Sequence, residues 1–148
     1  MRSSRACCPG GLARLALALG WLVAVSASAQ ETSFDFRVTV LHATSGGAVR
    51  DGAQRFDRLL RKRVSYRGLR IVTSQERTVG TNRIGSVELP DGTRFRFRPI
   101  DPDGPGALVA IDMGETQGDF RLPAGKPLIL GGSGWKGGQL VVVLELTR

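Results

Sequence analysis

The sequence predicts a mainly-β domain, an antiparallel β-sandwich with one amphipathic α-helix inserted after the first strand. Apolar and polar residues alternate with a period of two over 34–40 and 93–98, which is typical of strands with one buried face. Only the segment 51–64 carries an apolar stripe at helical spacing. Turn-forming residues recur about every 8–12 residues through the rest of the chain. An open α+β sheet with the helix on one face is the alternative.

The N-terminus has the features of a secretory signal peptide rather than of a folded domain. Three arginines charge its first half, an apolar run of 11 residues follows over 15–25, and small residues fill 26–29. A membrane-spanning helix needs about 20 apolar residues, so a retained anchor is the weaker alternative. We therefore expect cleavage near Ala29, with residues 1–29 as signal peptide and 30–148 as a single β-rich domain. The mature protein is then expected to be soluble in the periplasm or the medium.

Cleavage changes the composition on which the fold depends. It removes 29 of the 148 residues, among them three arginines and no acids, so the net charge falls from +8 to +5. Cys7 and Cys8 leave with the signal peptide, and they precede its apolar run, which disfavours a lipoprotein. Without a disulfide, hydrophobic burial must stabilise the mature domain. Arginine outnumbers lysine 18 to 3, which indicates a GC-rich bacterial genome.

The mature chain begins with a strand over 34–40, which ends at the turn residues 45–47. A helix is predicted from Asp51 to about Val64, with Asp51 and Gln54 as a capping-box-like pair at its start. Its apolar stripe recurs at spacings of three, four and four residues: Ala53, Phe56, Leu60 and Val64. We expect this helix to pack at an edge or an end of the sandwich.

The remaining chain predicts short strands separated by turns. The predicted strands are 66–72, 78–88, 93–98, 108–113, 119–122, 127–130 and 140–144. A loop is predicted over 101–106 and a glycine-rich connection over 131–138. The pattern Leu-Pro-x-Gly occurs at 89–92 and 122–125, which predicts two hairpins. The continuous apolar run 140–144 predicts a central strand that is buried on both faces.

Few of the residues that catalysis requires are present, and we expect no enzyme, no metal and no cofactor. His42 is the only histidine, and a mature chain without cysteine cannot build a usual zinc site. The segment 101–104 is typical of a turn rather than of a calcium loop, and 131–138 lacks the Gly-Lys-Ser/Thr of a phosphate loop. A small periplasmic hydrolase remains the alternative. It would use one of two carboxylate pairs: Asp112 with Glu115, or Glu88 with Asp91.

The basic residues carry the main functional signal. The segment 50–70 holds eight cations and two acids, whereas 101–148 holds four cations and six acids. Three cations recur at i, i+3 and i+7 along the predicted helix, and three arginines line one face of a predicted strand. A tryptophan in the glycine-rich segment is either an exposed contact or a lid on the core. The candidate ligand-binding residues are Arg55, Arg58, Lys62, Arg94, Arg96, Arg98 and Trp135.

These observations predict an exported, non-catalytic structural or binding domain of a bacterial cell envelope. Its basic surface would contact an anionic envelope polymer, lipid head groups or an acidic protein, and the signal peptide disfavours nucleic acid. A plain solvated surface explains the same charges without a ligand. A subunit of an envelope or secretion assembly is a third alternative.

Residues 120–147 contain an apolar strand, Pro-x-Gly, a second apolar strand that ends in Gly-Gly, and then Gln-Leu-Val-Val-Val-Leu. This arrangement resembles a β-hairpin pattern found near the C-terminus of outer-membrane secretins. The resemblance covers less than a quarter of the mature chain, and no site residue is assigned from it.

Overall fold

The computed structural model describes residues 31–148, so the expected signal peptide and both cysteines lie outside the described residues. The described chain forms eight strands and one short helix. In chain order they are β1 (Ser33–Thr44), α1 (Gln54–Leu60), β2 (Gly68–Gly80), β3 (Gly85–Glu88), β4 (Arg94–Asp103), β5 (Gly106–Met113), β6 (Thr116–Pro123), β7 (Leu128–Trp135) and β8 (Gly138–Leu146).

The strands form two antiparallel four-stranded sheets, which confirms the predicted β-sandwich. Sheet A has the strand order β2-β1-β8-β7, and sheet B has the order β3-β4-β5-β6. Their inner faces enclose an aliphatic core with four phenylalanines. Phe36 of sheet A meets Phe97 of sheet B edge to face, with ring centroids 5.1 Å apart. Alternate residues of each strand supply this core, as the period-two pattern predicts.

The helix packs on the outer face of sheet A, not at an edge or an end of the sandwich as the sequence pattern predicts. A second apolar cluster joins them, and its buried members are Leu41, Ala43, Ala53, Phe56, Leu60, Leu69, Val141 and Val143. The central strands β1 and β8 are therefore covered by sheet B on one side and by α1 on the other. This double burial explains why residues 140–144 are continuously apolar, and it confirms the predicted central strand.

The helix is also shorter than the predicted segment 51–64. Its N-cap is Ala53, which offers no side-chain cap. The Gln54 amide donates a hydrogen bond to the Asp51 carboxylate at 3.3 Å, so the expected capping-box pair joins side chain to side chain in the preceding turn. Beyond Leu60 the chain turns, and the basic residues 61–63 follow the helix instead of forming its last turn.

Several strands continue through segments predicted as loops. β4 and β5 extend into 101–106, and β7 continues through the glycines to Trp135, after which Lys136 and Gly137 form a tight turn. The pattern Leu-Pro-x-Gly joins the paired strands β3 and β4 at 89–92, as expected. At 122–125 it instead leads from β6 of sheet B to β7 of sheet A, so the second predicted hairpin is wrong. Within the described part of the chain, no helix is long and apolar enough to cross a membrane.

Candidate binding surfaces

The two sets of predicted basic contacts lie on opposite outer faces of the molecule. The helix that carries Arg55 and Arg58 covers the outside of sheet A. On β4, Phe95 and Phe97 point into the core, so the arginines that alternate with them point away from sheet B. One flat ligand therefore cannot contact both sets.

The outer face of sheet B is mixed in charge. Arg96 forms an ion pair with Asp112 of β5 at 3.1 Å. Arg94 lies opposite Glu88 in the β3–β4 register. Arg98 lies opposite Ala110 of β5, and Ala110 in turn lies opposite Asp119 of β6. Arg96 is thus ion-paired, and acids share this face with Arg94 and Arg98, which weakens the field that would attract an anion.

The helix side differs, because its cations surround a groove. Arg58 and Lys62 line a depression of about 290 Å³ between the end of α1 and β7, together with Leu59 and Arg63 and the β7-side residues 127–129. It continues past Arg63 into a second depression of about 410 Å³, which extends to Gln139 and Val141. We call these two depressions together the helix-side groove. The floor of the first depression is largely apolar, and among the described residues no carboxylate lines either part.

The acids near the helix are already paired elsewhere. Arg55 reaches Glu145 of β8 at 3.5 Å and lies over the Phe56 ring, so it is separate from the groove. Arg61 donates to Asp57 at 2.7 Å, and this hydrogen bond lowers the pKa of the Asp57 carboxyl. In the residues described, no ion pair involves the three groove cations, Arg58, Lys62 and Arg63.

Beyond the helix, Tyr66 forms a second set of hydrogen bonds with Asp57. Its hydroxyl donates to the Asp57 carboxylate and backbone carbonyl, both at 3.0 Å. Burial, together with this hydrogen bond to a carboxylate, raises the pKa of Tyr66 to about 12. The one acid of the helix is thereby held within the fold, and the groove keeps its positive charge.

Trp135 is half-buried and packs against the inner core. Its ring meets His42 edge to face at a centroid distance of 4.9 Å, and Lys136 Nζ lies 4.8 Å from the ring centre. The indole thus covers one end of the sandwich. Of the two roles weighed for this residue, the geometry favours the lid on the core.

The two carboxylates of the first candidate pair line different depressions, and Asp91 of the second pair is bound within a turn. Asp112 lines a depression on sheet B with Arg96, whereas Glu115 lines another beside Ser133. Asp91 accepts hydrogen bonds from the Ser133 hydroxyl and from Thr93. Desolvation opposes them, but these bonds lower the pKa of Asp91. Asp91 is thus held as a turn-stabilising carboxylate.

One polar cluster was not anticipated from the sequence. The β1–β2 register places His42 opposite Arg70, and both line a cleft with Arg50. Pairing between distant strands creates this cluster, so no local pattern could reveal it.

Comparison with known proteins finds no relative: no family model, no curated protein and no solved structure matches the chain.

Proposed function

We propose that this protein is an exported, non-catalytic binding domain of a bacterial cell envelope, and that it holds an acidic protein segment in the helix-side groove. One observation carries the proposal: Arg58, Lys62 and Arg63 surround an apolar floor, without a lining carboxylate or a described ion pair. Export is inferred from the signal-peptide features of residues 1–29.

The charge of the groove favours an acidic occupant but cannot hold it alone. An exposed ion pair contributes about 0.2–1 kcal/mol, so three of them supply on the order of 1–3 kcal/mol. The apolar floor formed by Leu59, Leu128 and Ile129 has to supply the rest. Covering about 100 Å² of apolar surface contributes roughly 2.5 kcal/mol. The expected ligand therefore combines acidic groups with apolar side chains.

The position of β7 favours an extended peptide over the other anionic partners. Among the described strands, β7 is an edge strand of sheet A that pairs with β8 alone, which leaves its second edge for a further strand. A peptide that adds to this edge would form main-chain hydrogen bonds and direct alternate side chains to one face. A polysaccharide lacks apolar side chains for the floor, and a bilayer surface is too flat to enter the groove.

The test is a binding titration with a defined probe. A fluorescent peptide of about eight residues in which Glu alternates with Val is titrated with the protein, and a peptide in which Lys replaces Glu is the charge control. The variant Lys62→Glu/Arg63→Glu reverses two groove charges. Arg94→Glu/Arg98→Glu makes the same change in net charge on the opposite face, and so serves as the matched control.

We expect the acidic peptide to bind more weakly as salt rises from about 50 to 500 mM. The groove variant should weaken it at least about tenfold, and the control less than about threefold. Equal losses in the two variants would show that net charge alone acts. If heparin or anionic phospholipid vesicles bind and the peptide does not, the partner is one of these anions and the proposal of an acidic protein segment is wrong.

A further inference from the structure

A second basic site lies near the β2 edge of sheet A, whereas the helix-side groove lies near the β7 edge. The end of β1, the glycine loop that follows it and the start of β2 enclose a cleft of about 270 Å³. Its lining includes His42, Thr44, Arg50, Leu69 and Arg70. The cleft shares no lining residue with the groove.

In the described part of the chain, two arginines and no carboxylate line the cleft. Some arginines elsewhere in the described chain have acidic partners, such as Arg37 with Glu76 at 2.7 Å. Within residues 31–148, none of the ion pairs includes Arg50 or Arg70. Two cations that share one concave site raise the local concentration of anions. A guanidinium also offers two parallel N–H donors, which match the oxygens of a carboxylate or a phosphate.

His42 orients Arg70 without cancelling its charge. The imidazole is 3% exposed, and its Nδ1 accepts hydrogen bonds from Nε and Nη2 of Arg70, each at 3.4 Å. Since a guanidinium only donates, Nδ1 must carry a lone pair. The proton then lies on Nε2, which donates to the Trp135 carbonyl at 2.9 Å. A carboxylate in this place would neutralise the arginine, whereas a neutral imidazole leaves its remaining donors free for a ligand.

The backbone around His42 holds it in place. At Gly138, directly beside the end of β1, an added Cβ would lie 2.6 Å from His42 Nε2, so only glycine permits the contact with Trp135. Arg50 is fixed on the other side of the cleft, because its backbone N–H donates to the Leu69 carbonyl at 2.9 Å. Both arginines therefore extend from anchored main chain, which reduces the ordering cost of binding.

We propose that this cleft binds a small oxyanion, a phosphate or carboxylate group, between the guanidinium groups of Arg50 and Arg70, with His42 as the positioning residue for Arg70. The small volume suits a small anion or the terminal anionic group of a larger molecule.

The experiment measures the affinity for inorganic phosphate and for acetate by calorimetry and by thermal shift, with chloride at equal ionic strength as reference. Arg50→Gln and Arg70→Gln are compared with Arg77→Gln, which removes an exposed arginine from the same strand, β2, outside the cleft. We expect about tenfold weaker binding in the two cleft variants and an unchanged affinity in the control. Phosphate and acetate arms identify which oxyanion is preferred. A loss of similar size in all three variants, or no response beyond that to chloride, overturns the proposal.

The role of His42 is tested with two amide substitutions, each of which retains only one of its two hydrogen-bonding functions. His42→Asn places its carbonyl oxygen near Nδ1 and retains an acceptor for Arg70, whereas His42→Gln places its amide nitrogen near Nε2 and retains only the donor to Trp135. At a temperature where both variants are folded, we expect Asn to preserve more of the oxyanion affinity than Gln. The reverse order would remove the positioning role. Titration of the groove variant with phosphate keeps this result separate from the peptide proposal, since that variant should bind phosphate normally.

Discussion

Removal of the Phe56 ring tests whether the helix is an integral layer of the fold. Phe56 is 1% exposed and lies in the cluster between α1 and sheet A. That cluster includes Leu41 of β1 and Val141 and Val143 of β8, whose strands also supply the inner core. Because both layers share these strands, we expect Phe56→Ala to lower the stability of the whole domain rather than release the helix alone.

The size of the effect follows from the burial. Truncation of a buried Phe to Ala costs about 3–5 kcal/mol, from lost transfer energy and the cavity left behind. A domain of about 120 residues unfolds with an entropy near 250 cal/mol/K, so each kcal/mol shifts the Tm by about 4 °C. Phe56→Ala should therefore lower the Tm by about 12–20 °C.

The assay is calorimetric unfolding, with a urea titration to compare m-values. The neighbouring Leu59 is 42% exposed, and Leu59→Ala is the control, with an expected loss of at most about 1 kcal/mol. A shift below about 4 °C for Phe56→Ala, or a separate early transition that leaves the main one unchanged, would refute the single cooperative unit.

Three further substitutions probe smaller contacts. Gly138→Ala should destabilise by about 1–3 kcal/mol in urea, because its Cβ would collide with the β1 backbone. Tyr66 has its pKa raised to about 12, so the stability it contributes is present below its unfolded pKa of 10.0 and is lost as pH rises through about 12. Tyr66→Phe should thus be less stable than the wild type at pH 8, and urea midpoints should converge towards pH 11. For Asp91, whose pKa is lowered from 3.8, the contribution is present above that value and is lost as pH falls below it. The stability gap between wild type and Asp91→Asn should narrow from pH 7 to pH 3; a constant gap would exclude the charged form as its cause.

Sequence patterns predicted the strands whose side chains alternate or are continuously apolar. Residues 94–98 of the predicted segment 93–98 lie in β4, and 140–144 form the centre of β8. Sequence patterns failed where glycine removes the alternation, since β7 continues through 131–134 without alternating side chains to mark it. They also failed where the decisive partner is distant, because the same Leu-Pro-x-Gly turn joins two paired strands at 89–92 and two different sheets at 122–125.

The candidate contacts show the same limit. Periodicity placed Arg94, Arg96 and Arg98 on one strand face, but it could not say that acids of β5 and β6 share that face. Nor could it reveal that Arg58 and Lys62 meet β7 in a groove, or that the β1–β2 register sets His42 beside Arg70. These relations belong to strand order and register, which local spacing does not encode.

The middle of sheet A joins the two ends of the described chain. Thr147, 112 positions from Asp35, donates hydrogen bonds from its backbone N–H and its hydroxyl to the Asp35 carbonyl, and β1 lies directly beside β8. Such non-local pairing is slow, since a large loop must close before any contact rewards it. Sheet A therefore cannot be completed until its last described strand, β8, has been synthesised. The pairing of β1 with β8, at the centre of the sheet, is the one that a growing chain can form last.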